Sequence, residues 1–317
     1  MAAWTTRFAP SPTGALHLGN ARTLGLAWWW ARAEGAGVVL RIEDLDHPRK
    51  KAGAIEQLRE DLAWLGLDYD RETPIQTSRL ERHLAALDAL VALGLVYGCA
   101  CSRKDLEEAQ SAPHEIGDEP PYPGTCRGRF ATPRDAALAT GRPAALRFLA
   151  APGVERFDDL LAGPQEIDPA LHGGDFVVGR LDVDGARRPA YQLAVVVDDA
   201  DDGVDRVIRG ADLLRSAARQ RRLQRALGLP PTTYAHAPLV VGRDGRRLAK
   251  RHGDTRLASL RARGISAQAV WDWIARSCGA APAAPADLVR RGFRPDAVPR
   301  EPATPPEAWA EPPQRGL

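Results

Sequence analysis

Residues 10–20 combine prolines, glycines and a histidine in a pattern that could bind a phosphate. They lie between a predicted strand at 4–9 and a predicted helix at 16–34. A turn from a strand into a helix presents backbone N–H groups and a helix N-terminus to an anion. His17 and Asn20 are one helical turn apart, so both side chains can face the same ligand. We therefore predict a site where a nucleotide takes part in chemistry.

Three acidic residues, Glu43, Asp44 and Asp46, follow or end a second predicted strand at 38–43. Three carboxylates within four positions could coordinate a metal ion, or they could be solvated at the end of the strand. Residues 247–251 form a basic loop, which by itself is typical of a solvated surface. These two segments can therefore be interpreted in more than one way from residue types alone.

Three cysteines, Cys99, Cys101 and Cys126, supply one thiolate fewer than a tetrahedral zinc site needs. His114 would be the conventional fourth ligand, and the cysteines could also be clustered without a metal. Cys278 is distant in sequence and is predicted to be a buried thiol. Disulfides are not expected, because the N-terminus lacks a secretion signal and a cytoplasmic location is predicted.

The elements that position these residues alternate between strands and helices, which predicts an α/β fold with a doubly wound, Rossmann-like parallel sheet. The core is expected to resume after an insertion, with apolar runs at 176–183 and 191–197. The predicted segments are the first half of the core (1–98), an acceptor-binding insertion with the cysteines (99–175), the second half with the basic loop (176–255), a helical extension (256–278) and a Pro-rich tail, extended or disordered (279–317).

The composition places few further limits on function. At 317 residues, 26% of them charged, the chain can bury a sizeable core. The formal net charge of +2 gives no reason by itself to expect a nucleic-acid partner. No run approaches the roughly 18 apolar residues that a membrane span needs, so no membrane partner is predicted. We also expect a monomer.

Residues 7–20 resemble the first signature of the class I aminoacyl-tRNA synthetases, in the form used by their glutamyl and glutaminyl branch. The usual His-Ile-Gly-His element is here His17-Leu18-Gly19-Asn20. Residues 41–46 are similar to the Arg-x-Glu-Asp-Thr-Asp element of the same family. In that element the glutamate receives the amino group of the bound amino acid, a role that falls on Glu43.

Two later segments extend the resemblance to residues 5–255. Tyr191 and the arginine of Val207-Ile208-Arg209 look like the residues that line the amino-acid pocket of the glutamyl branch. Residues 247–251 resemble the mobile Lys-Met-Ser-Lys-Ser loop, in which Lys250 would bind the triphosphate. Ala249 replaces the serine of that loop, so slower or more tRNA-independent activation is expected.

The resemblance implies that the carboxylate of glutamate attacks the α-phosphate of ATP. Because this nucleophile is already an anion, the enzyme needs no general base and must instead stabilise charge on the phosphates. Arg209 would pair with the side-chain carboxylate, and uncharged glutamine would leave it unpaired. The implied site residues are catalytic His17, Asn20 and Lys250; glutamate-binding Arg7, Ala9, Ser11, Glu43, Tyr191 and Arg209; and ATP-binding Pro10, His17, Gly19, Asn20 and Lys250.

The resemblance also implies ATP with Mg²⁺ and one structural zinc ion. Part of the family has a Cys-x-Cys…Tyr-x-x-x-Cys zinc site, and this pattern matches Cys99, Cys101, Tyr122 and Cys126. Tyrosine is an unusual zinc ligand, which leaves His114 as the alternative.

The acceptor is inferred from the short stretch of chain after the basic loop. A bacterial glutamyl-tRNA synthetase continues with a large helical anticodon-binding region, whereas only residues 251–317 follow Lys250. The chain therefore resembles the truncated paralogues of that branch, the glutamyl-Q tRNA(Asp) synthetases, which activate glutamate without tRNA and esterify queuosine in the anticodon of tRNA(Asp). The alternatives are a glutamyl- or glutaminyl-tRNA synthetase that charges a tRNA 3′ end, a pantothenate-synthetase-like or nucleotidyltransferase enzyme, and a catalytically weak RNA-binding paralogue.

Overall fold

The first part of the computed structural model consists of parallel strands that alternate with helices. The described residues are 4–12, 15–45, 53–102, 104–106, 122–130, 132–248 and 254–309. The first elements are β1 (Thr5–Phe8), α1 (Leu18–Ala33), β2 (Gly37–Leu40), α2 (Ala54–Leu65), β3 (Arg71–Glu72) and α3 (Leu80–Ala92). β1 pairs with β2, and β2 pairs with β3, both in parallel. The strand predicted at 4–9 and the helix predicted at 16–34 are confirmed with slightly shorter bounds, whereas the strand predicted at 38–43 ends at Leu40, so that Glu43 follows it.

An antiparallel sheet interrupts the parallel core. Its region contains β4 (Val96–Cys99), α4 (Pro133–Thr140), β5 (Ala144–Phe148), β6 (Glu155–Asp159), β7 (Gly163–Ile167), β8 (Phe176–Leu181) and β9 (Arg187–Pro189). β4, β5, β8 and β9 form one sheet in that order, while β6 and β7 pair with each other. The run at 176–183, predicted to resume the core, therefore belongs to the insertion. An apolar run of this length fits a buried strand of either kind of sheet, so its partner cannot be read from the sequence.

The second half of the core adds two parallel strands beside β1. Its elements are α5 (Tyr191–Asp201), β10 (Arg206–Gly210), α6 (Leu214–Leu227) and β11 (Thr233–Ala237), with β10 and β11 paired in parallel. The N–H of Asp205 donates to the carbonyl of Thr5 at 3.2 Å, which places β10 next to β1. The chain thus builds strands on both sides of β1. Ligands of open α/β sheets bind outside the carboxyl ends of strands at such a point.

Within residues 254–309, three α-helices follow the core: α7 (Leu257–Ala262), α8 (Ala267–Ser277) and α9 (Pro285–Arg291). The indole N–H of Trp29 donates to the carbonyl of Leu288 at 2.8 Å, and Phe293 stacks on Trp30 with ring centroids 4.9 Å apart. In the described ranges, no helix is both long enough and apolar enough to cross a membrane.

The tail prediction for 279–317 is wrong for the part that the structure describes, which ends at residue 309. Pro285 occupies the first turn of α9, where a proline favours helix formation because its missing N–H has no helical partner to lose. Leu288 and Phe293 then supply apolar anchors that the high proline content hides. Residues 310–317 lie outside the described residues.

Candidate active site

A cavity of about 210 Å³ opens where the carboxyl ends of β1 and β10 meet the N-terminus of α1. It lies at the point where the strand order favours a ligand site. Ser11, which the resemblance assigns to glutamate, is exposed and lies outside its lining. The predicted residues that line the cavity are Arg7, Ala9, Pro10, His17, Gly19, Asn20, Glu43, Tyr191 and Arg209.

His17 is the N-cap of α1, and the cap fixes its ring. Nδ1 accepts the backbone N–H groups of Gly19 at 3.0 Å and Asn20 at 3.3 Å. An Nδ1 that accepts N–H groups carries no proton, so the neutral ring holds its proton on Nε2. Burial and, next, the positive charge of Arg247 lower the pKa of His17, which favours the neutral ring. His17 can therefore donate an Nε2–H to a phosphate in the cavity.

The neighbours of His17 support this geometry. The side-chain carbonyl of Asn20 accepts the backbone N–H of His17 at 3.2 Å, which leaves the Asn20 amide N–H groups to donate elsewhere. A Cβ on Gly19 would lie 2.9 Å from Cε1 of the imidazole. A larger residue at position 19 would therefore force the ring to shift.

A buried charge network holds Glu43 at the cavity wall. The fully buried Arg41 donates from Nη2 to Glu43 at 3.1 Å and to Asp199 at 2.7 Å. Arg7 lies 3.3 Å from the same Asp199 and donates to the carbonyl of Ile208 at 3.2 Å. Burial raises the pKa of Glu43, although Arg41 and Arg7 oppose this. Glu43 is thus a confined carboxylate suited to an ammonium group.

The described part of the acidic run, Glu43 and Asp44, gives no support to the alternative of a metal site, because both carboxylates already have protein partners. Glu43 is paired with Arg41, and Asp44 accepts both the N–H and the hydroxyl of Thr77 at 2.8 Å. Asp46 lies outside the described residues. Among the described residues, the potential metal ligands that lie close enough together to share an ion are Cys99, Cys101 and Cys126.

Arg209, at the end of β10, has one nitrogen that lacks a partner. Nε donates to Nε2 of His236 at 3.0 Å, and Nη2 donates to the carbonyl of Leu213 at 3.2 Å. Nη1 is buried and has no hydrogen-bond partner, and Arg209 forms no ion pair with any described residue. An unpaired buried donor is costly, so an acceptor on a ligand in the cavity would satisfy it. Tyr191 lines the same cavity, and burial raises the pKa of its phenol.

One flank of the basic loop lines the cavity, and the other pairs with the segment that contains His17. Arg247 and Leu248 line it, and Arg247 lies 2.8 Å from Asp212. On the far side of the loop, the N–H of Leu18 donates to the carbonyl of Thr255 at 3.0 Å, so this flank pairs with the signature segment. Ala249 and Lys250 lie outside the described residues, and their roles stay predictions.

The predicted zinc ligands lie together at the end of β4. The Sγ of Cys101 lies 3.6 Å from that of Cys126, and the Tyr122 hydroxyl lies 3.2 Å from the Sγ of Cys99. With Zn–S bonds of about 2.3 Å, the sulfurs of a tetrahedral site are roughly 3.8 Å apart, and a phenolic oxygen is roughly 3.5 Å from each sulfur. The four donors therefore have a spacing that fits zinc. His114 lies outside the described residues.

Two residues that lie behind Arg209 of the cavity could not be found from sequence motifs. His236 in β11 contacts Arg209, and Asp159 at the end of β6 contacts His236 at 2.5 Å. The one signal in the sequence was His236 itself, a polar residue within the short, buried and mostly apolar strand β11. Neither residue belongs to a segment that the family resemblance marks.

Comparison with known proteins identifies the relatives of this chain. The family described as "tRNA synthetases class I (E and Q), catalytic domain" matches residues 3–292. A protein of Rhodopirellula baltica named glutamyl-Q tRNA(Asp) synthetase is 46% identical, covering 92% of this chain and 90% of the relative. A protein of the same name from Symbiobacterium thermophilum is 47% identical, covering 93% and 94%.

Solved structures show the same fold. The glutamate–tRNA synthetase of Elizabethkingia anophelis superposes with a TM-score of 0.79, covering 97% of this chain and 69% of that one. At 23% identity this likeness supports the fold alone. A more similar sequence is a glutamate–tRNA ligase from Synechococcus sp., which is 40% identical over 84% of this chain and 57% of its own length.

Proposed function

This chain belongs to the catalytic-domain family of the class I glutamyl- and glutaminyl-tRNA synthetases, and on that premise we propose that it activates glutamate with ATP and transfers it to the queuosine of tRNA(Asp). Activation is proposed to occur without tRNA. The relatives that carry the glutamyl-Q name support this acceptor, because they share 46 and 47% of their residues with the chain over nearly their whole length.

The observation that carries the choice of glutamate is the unpaired, buried Nη1 of Arg209 beside the cavity. A side-chain carboxylate would supply the missing acceptor together with the opposite charge. Glutamine would bring an amide of no net charge and would leave the guanidinium uncompensated. Glu43, which follows β2, then receives the ammonium group of the substrate, and Arg7 and Tyr191 complete the pocket.

ATP is proposed to bind at the N-terminus of α1. There the Nε2–H of His17 and the amide N–H groups of Asn20 donate to the phosphates, and the helix N-terminus adds its partial positive charge. The α-carboxylate of glutamate attacks the α-phosphorus, and the bond to the leaving pyrophosphate breaks. Lys250 is proposed to hold the β- and γ-phosphates, with the Mg²⁺ that class I synthetases use with ATP. Charge stabilisation is the main task of these groups.

Transfer to the acceptor is the second step. A hydroxyl of the cyclopentenediol ring of queuosine attacks the carbonyl carbon of glutamyl-adenylate, AMP leaves and an ester forms. The acceptor lies in the anticodon loop, so this loop must reach the cavity where glutamyl-adenylate forms.

Cys99, Cys101, Cys126 and Tyr122 are proposed to hold one structural zinc ion. The thiol and phenol donors suit zinc, and their spacing fits a tetrahedral site. The ion would fix the start of the insertion, because β4 and the turn that contains Cys126 would then share ligands. No step of the reaction passes through it.

Glutamate-dependent exchange of pyrophosphate into ATP, measured without tRNA, tests the activation step. Arg209→Ala is expected to lower kcat/KM for glutamate by at least about 100-fold, because a buried charge pair is lost, while the Kd for ATP stays unchanged. Arg206→Ala is the matched control, since Arg206 belongs to the same strand but is absent from the cavity lining. Equal losses of glutamate activation and ATP binding would contradict the role of Arg209.

A further inference from the structure

A buried chain of hydrogen bonds leads from the insertion to the cavity. Asp159, His236 and Arg209 are 3%, 1% and 5% exposed. Oδ2 of Asp159 lies 2.5 Å from Nδ1 of His236, and Nε2 of His236 lies 3.0 Å from Nε of Arg209. Arg209 and His236 are register partners in the parallel strands β10 and β11. Asp159 reaches them from β6 of the insertion.

In this series of hydrogen bonds, the position of each proton is set by the two end residues, Arg209 and Asp159. Arginine stays protonated, so Nε of Arg209 can only donate and Nε2 of His236 must accept. The ring proton then lies on Nδ1 and is donated to Asp159. Although burial opposes it, the hydrogen bond from His236, together with backbone N–H groups, holds the pKa of Asp159 below its usual value. Burial lowers the pKa of His236, which favours the neutral ring.

A histidine is well suited to this position because it is neutral. A carboxylate at position 236 would form an ion pair with Arg209 and would compete with the carboxylate of the ligand. The imidazole instead accepts the hydrogen bond from Nε of Arg209 without neutralising the charge of the guanidinium. Because Nη2 is held by the carbonyl of Leu213, the plane of the guanidinium is fixed at two points, and Nη1 remains for the ligand.

We propose that Asp159 and His236 are positioning residues for glutamate recognition, a role that rests on the proposed function. Asp159 fixes the tautomer of His236, and His236 orients Arg209 so that Nη1 meets the side-chain carboxylate of glutamate. Because Asp159 belongs to the insertion, the same contacts connect the insertion to the amino-acid pocket.

Two substitutions of His236 distinguish the role of Nε2, which contacts Arg209, from that of Nδ1, which contacts Asp159. In His236→Gln the side-chain carbonyl can take the place of Nε2 and accept from Arg209. In His236→Asn the shorter amide can replace only Nδ1. The KM for glutamate in pyrophosphate exchange is expected to rise about 10- to 100-fold in His236→Asn, as for the loss of one hydrogen bond to a charged group. In His236→Gln it is expected to stay within about threefold of wild type, and the KM for ATP stays constant in both.

A substitution of Asp159 tests the tautomer. Asp159→Asn keeps the Oδ1 acceptor but replaces Oδ2 with an NH₂ group, which would donate to Nδ1 and place the ring proton on Nε2, facing the N–H of Arg209. We expect the KM for glutamate to rise at least about tenfold in the wild-type background. The same change in the His236→Gln background should have little effect, because the amide there has no tautomer to select.

The outcomes are distinguishable. If the wild-type protein shows no glutamate-dependent exchange, the proposed function fails before any variant is compared. If the wild type is active, equal effects of Asp159→Asn in both backgrounds would show that Asp159 is structural only and would overturn the proposal. Equal loss of glutamate affinity in His236→Asn and His236→Gln would also overturn it. The two His236 variants decide the matter if Asp159→Asn fails to fold.

Discussion

The backbone N–H of Ala303 donates to the carbonyl of Leu239 at 2.9 Å, and the carbonyl of Ala303 accepts the N–H of Val241 at 2.9 Å. The indole N–H of Trp273 donates to the carbonyl of the adjacent Thr304 at 3.1 Å, which anchors the same segment to α8. Since Leu239 lines the cavity, the C-terminal segment supports the wall that leads into the basic loop.

Ala303→Pro should therefore impair catalysis from outside the cavity. Proline cannot donate the hydrogen bond to Leu239, and we expect kcat of pyrophosphate exchange to fall about tenfold, in line with one lost hydrogen bond, with a smaller change in the KM for glutamate. Ala303→Ser retains the N–H and serves as the control. If kcat is unchanged in Ala303→Pro while its Tm is lower, the segment contributes to stability alone.

Glu43 should give glutamate binding a dependence on pH. The carboxylate must be ionised to hold an ammonium group, and burial raises its pKa above the ordinary range. The KM for glutamate should therefore rise as the pH falls through this raised pKa and level off above it, in a series from about pH 5 to 8. Glu43→Gln should raise the KM throughout and keep only the titration of the substrate itself. A variant with the wild-type pH profile would assign the titration to another group.

His17 combines two tasks that substitution can separate. Asparagine is a good N-cap, so His17→Asn should retain the stability of α1 but lose the Nε2–H donor. We expect its free energy of unfolding to stay within about 0.5 kcal/mol of wild type, while kcat of adenylate formation falls about 100-fold or more. His17→Ala should lose both the cap and the donor, and its free energy of unfolding should fall by about 1 kcal/mol. Normal kcat in His17→Asn would limit His17 to capping.

The cysteine cluster predicts the metal content. The purified protein should contain one zinc ion per chain by elemental analysis, and a chelator should lower its Tm. Cys101→Ser and Tyr122→Phe should each reduce the zinc content, because each removes one of the four donors. Cys278→Ser is the control, since Cys278 is buried outside the cluster. Full zinc content in Tyr122→Phe would exclude the phenol as a ligand.

Local parts of the site could be predicted from the sequence. His17, Gly19 and Asn20 lie within one helical turn, so their proximity is a property of the helix itself. Glu43 closely follows β2 and Arg209 lies near the end of β10, so the carboxyl edge of the sheet gathers them. The structure brings these residues to one cavity, although their chemical roles remain proposals.

The contacts that could not be predicted join segments whose pairing depends on the tertiary fold. Asp159 and His236 are 77 positions apart and meet because the β6–β7 hairpin packs on β11. The partner of β8 was not predictable, because a buried apolar run fits parallel and antiparallel sheets alike. The ordered segment after α8 was hidden by its prolines, which suggest disorder when the packing of Leu288 is unknown.

The most direct test of the central claim is transfer of labelled glutamate to tRNA(Asp) that contains or lacks queuosine, followed by nuclease cleavage to locate the label. We predict labelling that requires queuosine and is found in the anticodon fragment. Label at the 3′ end of tRNA(Glu), with none on the queuosine-containing tRNA(Asp), would contradict the proposed acceptor.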